Sequence, residues 1–236
     1  MSLRYDDVIC AYSFDALTPN GLLMDHGPHG LHATFGAGAA APVRQLDGSY
    51  LFSGAQYFQL SGGSQTRFYQ VAPTGACTIL YAATLTSSAS RTIFGCQSLG
   101  GGNNRGMSLT SATAAIYEWY QWRGDATNPA IQPTGHAATR QHRCVLTMET
   151  TPRFLRDESV GTAAWAGGAF GTCVYDPTII PRIGATPAGG SFWLGTMRYL
   201  CLMKGSVSSP DLAYASRLLA EGVKPFCWRR PSTTPD

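Results

Sequence analysis

Short apolar or alternating segments recur along this chain, and clusters of Gly, Pro, Asn and Ser separate them. Segments of this length with turn residues between them are typical of β-strands in an all-β sandwich or barrel. The predicted strands cover residues 8–14, 50–60 (two short strands around Gly54), 77–85, 92–96, 106–109, 116–122, 143–148, 154–160, 179–183 and 192–203. The sequence therefore predicts an all-β protein built as a two-sheet antiparallel β-sandwich.

One segment near the C-terminus has helical periodicity instead. Ser209, Pro210 and Asp211 supply an N-cap, a proline in the first turn and an acidic residue near the positive end of the helix dipole. Apolar residues then recur at helical spacing as far as Leu219, and Gly222 is placed to end the helix. The sequence predicts one short C-terminal helix.

The composition fits one globular domain. The chain of 236 residues contains 27 glycines and 14 prolines, and only 13 % of its residues are charged, which excludes a coiled coil. Its 44 % of hydrophobic residues can bury a core, so residues 1–222 are predicted to form a single domain. Residues 223–236 are rich in Pro, Ser and Thr and are predicted to be a C-terminal tail that acts as an interaction arm.

The charge pattern bears on partners. The net charge of +3 is small and dispersed, so no nucleic-acid partner is predicted. Of the 17 cations only Lys204 and Lys224 are lysine, and arginine is the cation preferred at protein interfaces, although codon bias produces the same excess. The predicted partners are other protein subunits of an assembly. The candidate interface residues are Arg4, Phe226, Trp228, Arg229 and Arg230.

The cysteines and the N-terminus bear on the compartment. Seven cysteines include no CxxC pair, and most lie in apolar, strand-like segments, so they are predicted to be buried free thiols. No cofactor is predicted. The sequence has no apolar stretch typical of a signal peptide, so synthesis in a host cytoplasm is expected. It also has no apolar run long enough to cross a bilayer, so no membrane partner is expected.

Several segments, in this order, match the motifs of a known superfamily. They cover residues 11–15, 25–34, 51–60, 182–197 and 211–219. The chain resembles the concanavalin A-like lectin/glucanase superfamily, particularly its laminin-G-like branch. The resemblance implies a jelly roll of two antiparallel sheets, one of them concave. Members of the superfamily include lectins, glycosidases, adhesion modules and viral surface proteins, so the fold does not decide the function.

Glycosidase activity requires two carboxyl groups on either side of the scissile bond. Glucanase members of the superfamily carry them on one strand face, in a pattern such as E-x-D-x-x-E, which this sequence lacks. Asp157 and Glu158 are adjacent, so a strand would direct them to opposite faces, and Glu118 has no acidic residue two or four positions away. The chain is therefore predicted not to be an enzyme, and no catalytic residue is assigned.

Residues 25–41 are predicted to form a loop that contains His26, His29 and His32 beside Asp25. Imidazole and carboxylate groups bind zinc, so this run is a candidate metal site. A spacing of three residues does not align ligands in a Gly/Pro-rich loop as it would on a helix. A hydrogen-bonded polar loop is the favoured interpretation, and no metal site is predicted.

The densest aromatic segment is a candidate glycan platform. In a strand, alternate residues of this segment face opposite sides, so one set belongs to the core and the other is available for a sugar ring or for packing against a neighbouring subunit. The candidate ligand-binding residues are Tyr117, Glu118, Trp119, Tyr120, Trp122 and Arg123.

Three functional hypotheses follow from these features. The preferred one is a non-catalytic structural module on the surface of a virion, as a capsid decoration or tail-associated protein of a virus or bacteriophage, which also contacts host glycans. The alternatives are a stand-alone carbohydrate-binding lectin-like module and, with less support, a glycoside hydrolase.

Overall fold

The computed structural model describes residues 4–17, 21–36, 41–86, 91–98, 105–113, 116–123, 130–131, 142–156, 159–162 and 165–220. These residues form mostly antiparallel β-strands. In chain order the strands are β1 (Val8–Leu17), β2 (Leu22–Asp25), β3 (Ala33–Phe35), β4 (Val43–Arg44), β5 (Tyr50–Ser53), β6 (Phe58–Gln59), β7 (Cys77–Leu85), β8 (Arg91–Gly95), β9 (Arg105–Thr113), β10 (Ile116–Arg123), β11 (Ala130–Ile131), β12 (His142–Met148), β13 (Arg153–Arg156), β14 (Ser159–Thr162), β15 (Trp165–Ala166), β16 (Arg182–Ile183) and β17 (Leu194–Lys204). The α-helices are α1 (Gly63–Val71) and α2 (Ser209–Ala220), and a short 3₁₀ helix covers Tyr5–Asp7.

The strands are arranged in two layers. In the first layer, antiparallel pairing runs from β1 through β17, β7, β12 and β13 to β14, and β5 with β4 extends one end of β17. In the second layer, the order is β3, β6, β16, β8, β9, β10, β11 and β15. Because β2 pairs with both β1 and β3, the two layers are joined in one curled sheet. The predicted all-β sandwich is confirmed.

The main hydrophobic core lies between the two layers. Tyr12, Tyr81 and Leu146 contribute from the first layer, while Phe58 and Phe94 contribute from the second. These side chains are at most 3 % exposed. The alternating apolar positions that predicted the strands are thus the residues that fill the space between the layers.

A smaller core covers the opposite face of the first layer. There α2 packs on β7, β12 and β13, and Leu212 and Ala215 belong to one buried cluster with Leu80 and Val145. The middle of the first layer, at β7 and β12, is therefore buried on both faces. The outer face of the second layer has no helix packed on it among the described elements.

The sequence predicted one helix, and the structure has a second one, α1. Its segment is mostly polar and shows little helical amphipathicity; one residue, Phe68, is fully buried. The Phe68 ring packs against Phe94 and Tyr175, so contacts made by the folded chain stabilise a helix that local propensity does not. Neither described helix is long and apolar enough to cross a membrane.

Other differences concern short elements. Residues 154–160 were predicted as one strand, but β13 and β14 pair there as a hairpin. The predicted 25–41 loop contains β3, and the predicted strand 179–183 is reduced to the two residues of β16. Strands this short depend on pairing with distant segments, which periodicity within a short window does not detect.

The described cysteines are free and buried, as predicted. They are Cys10, Cys77, Cys96, Cys144, Cys173 and Cys201. Burial raises the pKa of Cys10, Cys77, Cys96 and Cys201 well above that of an exposed thiol. These thiols therefore act as small core residues and remain protonated at neutral pH.

Candidate functional site

Two rows of residues cross the second layer on opposite faces. Directly opposite residues in antiparallel strands share a face, so the pairing from β3 to β10 defines both rows. The inner row, which faces the first layer, consists of Phe35, Phe58, Ile183, Phe94 and Leu109, and its register continues to position 119 of β10. The outer row consists of Thr34, Gln59, Arg182, Gly95 and Ser108, and its register continues to position 120 of β10. The inner row is apolar, whereas the outer row is mainly polar and contains a single cation.

Arg182 lies at the middle of the outer row, on a strand of only two residues held between β6 and β8. The guanidinium carbon is 4.6 Å from the centroid of the Tyr57 ring, a cation–π contact. Nη1 of Arg182 donates a hydrogen bond to the carbonyl oxygen of Thr186 at 3.3 Å. These two contacts hold the cation in place over the sheet.

A pocket of about 320 Å³ opens beside Arg182. This volume is at the lower end of the range for small-molecule sites, about 300–1,000 Å³. The residues that line it come from three separate segments: Gln97, Ser98, Thr178, Ile179, Ile180, Arg182, Thr186, Pro187 and Ala188. Amide, hydroxyl and guanidinium groups thus lie together with short aliphatic side chains.

Among the described residues, buried polar atoms without a hydrogen-bond partner concentrate in and beside this pocket. They include Nε of Arg182 and Oε1 of Gln97, a residue that is only 5 % exposed. Oγ1 of Thr92 on β8, the strand next to β16, and Oγ of Ser108 on β9, one strand further, are also buried and have no partner among the described residues. Buried polar groups in folded proteins are nearly always paired with protein or with ordered water, so the partners of these atoms come from solvent or from a ligand.

Gly95 creates the hollow between these groups. It pairs with Arg182 on one side and with Ser108 on the other, so these two residues are two strands apart, about 10 Å. A Cβ atom at position 95 would lie 2.7 Å from Oε1 of Gln97 and 3.2 Å from Cδ of Pro187. Only glycine lets the amide and the proline approach the sheet this closely.

Two tight turns form the walls of the pocket. In one, the Thr186 hydroxyl donates to the carbonyl of Gly190 and accepts from the Gly190 N–H, both at 3.0 Å. In the other, Oδ1 of Asp176 accepts from the N–H and the hydroxyl of Thr178. Hydrogen bonds from the Thr178 side chain and backbone lower the pKa of Asp176. Both walls are therefore fixed by their own hydrogen bonds.

Helix α1 supports one wall of the pocket. Nε2 of Gln65 donates to the carbonyls of Pro177 and Ile179 at 3.0 and 3.1 Å, and the Tyr69 hydroxyl donates to Ile179 at 2.7 Å. The helix that the sequence analysis did not predict therefore positions residues of the pocket.

The predicted glycan platform lies on β10, the third strand from β16. Its register places position 119 opposite the buried Leu109 and position 120 opposite Ser108. By alternation, positions 118, 120 and 122 belong to the face of the outer row, and positions 117, 119 and 121 belong to the core face. The side chains of residues 117–123 lie outside those described, so their binding role stays a prediction.

The histidine loop is organised by Asp25. Its Oδ1 accepts from the N–H groups of Ala11 and Gly27, both at 2.8 Å, and its Oδ2 accepts from that of Leu31 at 2.7 Å. The Asp25 N–H donates to Nδ1 of His32 at 3.1 Å. The carboxylate thus binds the backbone rather than a cation. Within the described ranges, no three His, Cys, Asp or Glu side chains gather closely enough to hold a metal ion.

The candidate interface residues are mostly beyond what the structure describes. Phe226, Trp228, Arg229 and Arg230, and with them the whole tail 223–236, lie outside the described residues. Arg4 is exposed, and its carbonyl accepts the N–H of Asp7 at 3.2 Å. Its role at an interface stays a prediction.

A second polar network lies between β12, β13 and the segment before α2. Oε1 of Glu149 accepts from Nε of Arg153 at 2.9 Å and from the Thr147 hydroxyl at 2.7 Å. Nη2 of Arg153 donates to the Ser206 hydroxyl at 2.9 Å and to the Val207 carbonyl at 2.6 Å. These groups satisfy one another, so this network ties the hairpin to the chain that leads into α2.

Comparisons with known proteins place the fold. No family model and no curated protein matches the sequence. Among solved structures, Trypanosoma rangeli sialidase is 15 % identical with a TM-score of 0.62, over 92 % of this chain and 34 % of that one. The receptor binding domain of botulinum neurotoxin type G is 9 % identical with a TM-score of 0.63, over 90 % of this chain and 51 % of that one.

A third match is the binding domain of botulinum neurotoxin DC in complex with SialylT, 9 % identical with a TM-score of 0.63. It covers 91 % of this chain and 52 % of that one. This chain therefore spans about a third to a half of the length of the proteins it matches. Identities this low establish the fold alone, and that fold is the lectin-like jelly-roll sandwich.

Proposed function

We propose that this chain is a non-catalytic carbohydrate-binding module that holds a sugar unit in the pocket beside Arg182. The observation that carries the proposal is the unpaired donor of Arg182 and the unpaired acceptor of Gln97 in one pocket with hydroxyl groups. Sugar hydroxyls both donate and accept hydrogen bonds, and Ile179, Ile180 and Pro187 provide an apolar surface for the C–H groups of a sugar ring.

The composition of the pocket supports binding without hydrolysis. None of the described residues that line it carries a carboxyl group. Asp176 lies next to the lining segment, but its lowered pKa keeps it ionised at neutral pH, whereas a general acid must hold a proton. The pair of carboxyl groups that glycoside hydrolysis requires is therefore missing from this pocket.

The comparisons add support of a limited kind. The matched structures include a receptor binding domain and a complex with SialylT, so the same fold occurs in proteins described as binding domains. A role as a virus or bacteriophage surface protein stays a prediction, because the tail expected to contact neighbouring subunits lies outside the described residues.

The test is a glycan array probed with the wild-type protein and two tryptophan variants. Ala188 is exposed and lines the pocket, so Ala188→Trp fills the pocket without disturbing the core. Ala213 is exposed on α2, which covers the first layer, so Ala213→Trp is the matched control. We expect the wild type and Ala213→Trp to bind the same glycans and Ala188→Trp to bind none.

Two results would refute the proposal. Failure of the wild type to bind any glycan removes the carbohydrate-binding role, and retained binding by a folded Ala188→Trp variant removes the pocket. Cleavage of a bound oligosaccharide, followed by NMR, would contradict the non-catalytic part.

A further inference from the structure

The cation in the pocket has no counter-charge within the described residues. No carboxylate oxygen there is bonded to Arg182, whose contacts are the Tyr57 ring and the Thr186 carbonyl. The Nε atom is buried and unpaired. A partly buried cation gains more from an opposite charge than a fully exposed one does, so the pocket favours an anion.

The free edge of the guanidinium restricts the shape of that anion. Of the five guanidinium N–H groups, one on Nη1 is bonded to Thr186, while Nε and Nη2 have no partner among the described residues. These two groups lie on one edge of the planar guanidinium and direct parallel N–H bonds outward. A carboxylate, which is also planar and has two oxygens, pairs with such an edge through two hydrogen bonds.

The rest of the pocket argues against phosphate and for a sugar acid. Arg182 is the only cation among the described residues that line the pocket. Phosphate sites commonly combine several cations or backbone N–H groups, whereas a carboxylate needs one guanidinium. Gln97, Ser98 and Thr178 add amide and hydroxyl groups that suit the hydroxyls around the carboxylate.

We infer that the ligand is a sugar acid whose carboxylate pairs with the Nε and Nη2 edge of Arg182 while Gln97 binds a ring substituent. This inference rests on the proposed carbohydrate-binding function. A sialic acid and a uronic acid both supply the carboxylate, and the structure defines the chemistry that they share.

The experiment measures binding of small glycosides by calorimetry or by NMR titration. The probes are the methyl glycosides of N-acetylneuraminic acid and of glucuronic acid, each beside its carboxyl methyl ester, which keeps the ring and removes the charge. Loss of a charged hydrogen-bond pair weakens binding about 10- to 100-fold, so we expect each ester of a bound acid to bind weaker by that factor. The acid that binds identifies the source of the carboxylate.

Three arginine variants locate the effect. Arg182→Gln removes the cation, and we expect it to bind acid and ester equally weakly. Arg182→Lys keeps the charge but not the two-donor edge, and we expect it to lose most of the preference for the acid. Arg67 is exposed on α1 and absent from the pocket lining, so Arg67→Gln is the control for net charge and should bind like the wild type.

The outcomes separate this inference from the proposed function. Equal binding of acid and ester by the wild type, or a preference for the acid retained in Arg182→Gln, overturns the inference and leaves the carbohydrate-binding proposal intact. Binding of neither acid nor ester, together with a blank glycan array, defeats both. If Arg182→Gln fails to fold, the comparison of acid with ester on the wild-type protein decides the question.

Discussion

Two buried glutamines offer a sharp test of whether the pocket is built for a ligand. Gln97 is 5 % exposed and its Oε1 has no partner. Gln56 is 7 % exposed, but its Oε1 accepts from the N–H groups of Ser53 and Ala55 at 2.7 and 3.3 Å, and its Nε2 donates to the Ser53 hydroxyl at 2.7 Å. The two glutamines are thus buried to a similar extent, but only the Gln56 amide has hydrogen-bond partners for its oxygen.

The perturbation is substitution of each glutamine by methionine, which has a similar length and no amide. A buried polar group without a partner costs about 1–3 kcal/mol, so Gln97→Met should raise the free energy of unfolding by about 1–2 kcal/mol. The Gln56→Met variant leaves backbone N–H groups unpaired and should lower it by about 2–4 kcal/mol. For a domain of this size each kcal/mol shifts the Tm by about 2–4 °C.

The assay is urea unfolding of the ligand-free protein, supported by calorimetric Tm values and by the binding measurement. We expect Gln97→Met to be more stable than the wild type and to bind the glycan more weakly, a combination typical of a binding residue. A loss of more than about 1 kcal/mol in Gln97→Met would show that its amide stabilises the fold, and the reasoning from the unpaired Oε1 would then be wrong.

Three further predictions concern the fold. Gly195 has φ +147° and a Cβ there would lie 1.9 Å from the carbonyl oxygen of Thr84, so Gly195→Ala should abolish folding, measured as loss of the cooperative urea transition. The six described cysteines should not react with a thiol reagent at pH 8 until denaturant unfolds the chain, because all six are buried and burial raises the thiol pKa of Cys10, Cys77, Cys96 and Cys201. Burial alone would raise the pKa of Glu149, but hydrogen bonds from Ser206, Thr147 and Arg153 lower it below 4.5. Its stabilising effect should therefore be complete above that pH and lost on further acidification, and Glu149→Gln should show a smaller fall in stability between pH 5 and pH 3 in urea titrations.

The strands that the sequence predicted well are those whose apolar residues face a core. Residues 77–85 were predicted as a strand with the bounds that β7 has. Every residue of β7 except Thr84 is buried, because the two layers cover one face and α2 covers part of the other. Where burial comes from both sides, the apolar pattern is continuous and its ends are clear.

The predictions failed where distant segments decide the local structure. Nothing in residues 63–71 favours a helix over other structures, and insertion of Phe68 beside Phe94 and Tyr175 fixes it. Similarly, β16 exists because β6 and β8 pair with its two residues from either side. Such elements follow from the assembled fold, so a single sequence gives little indication of them.

The pocket also forms only in the assembled fold. This explains why the sequence predicted a binding site in the aromatic segment and not at Arg182. Aromatic density is visible in a local window, whereas the pocket forms from residues 97–98, 178–182 and 186–188 only after the strands have paired. One local signal was present: Arg182 is a charge between Pro181 and Ile183 in an otherwise apolar run. A cation in a predicted strand either faces solvent or binds a partner at a buried position. The next residue, Ile183, is buried in the core, so Arg182 lies on the opposite face of the strand. Because side chains alternate along a strand, Arg182 belongs to the outer row of the second layer. On that face it lies beside polar residues that can bind the same ligand.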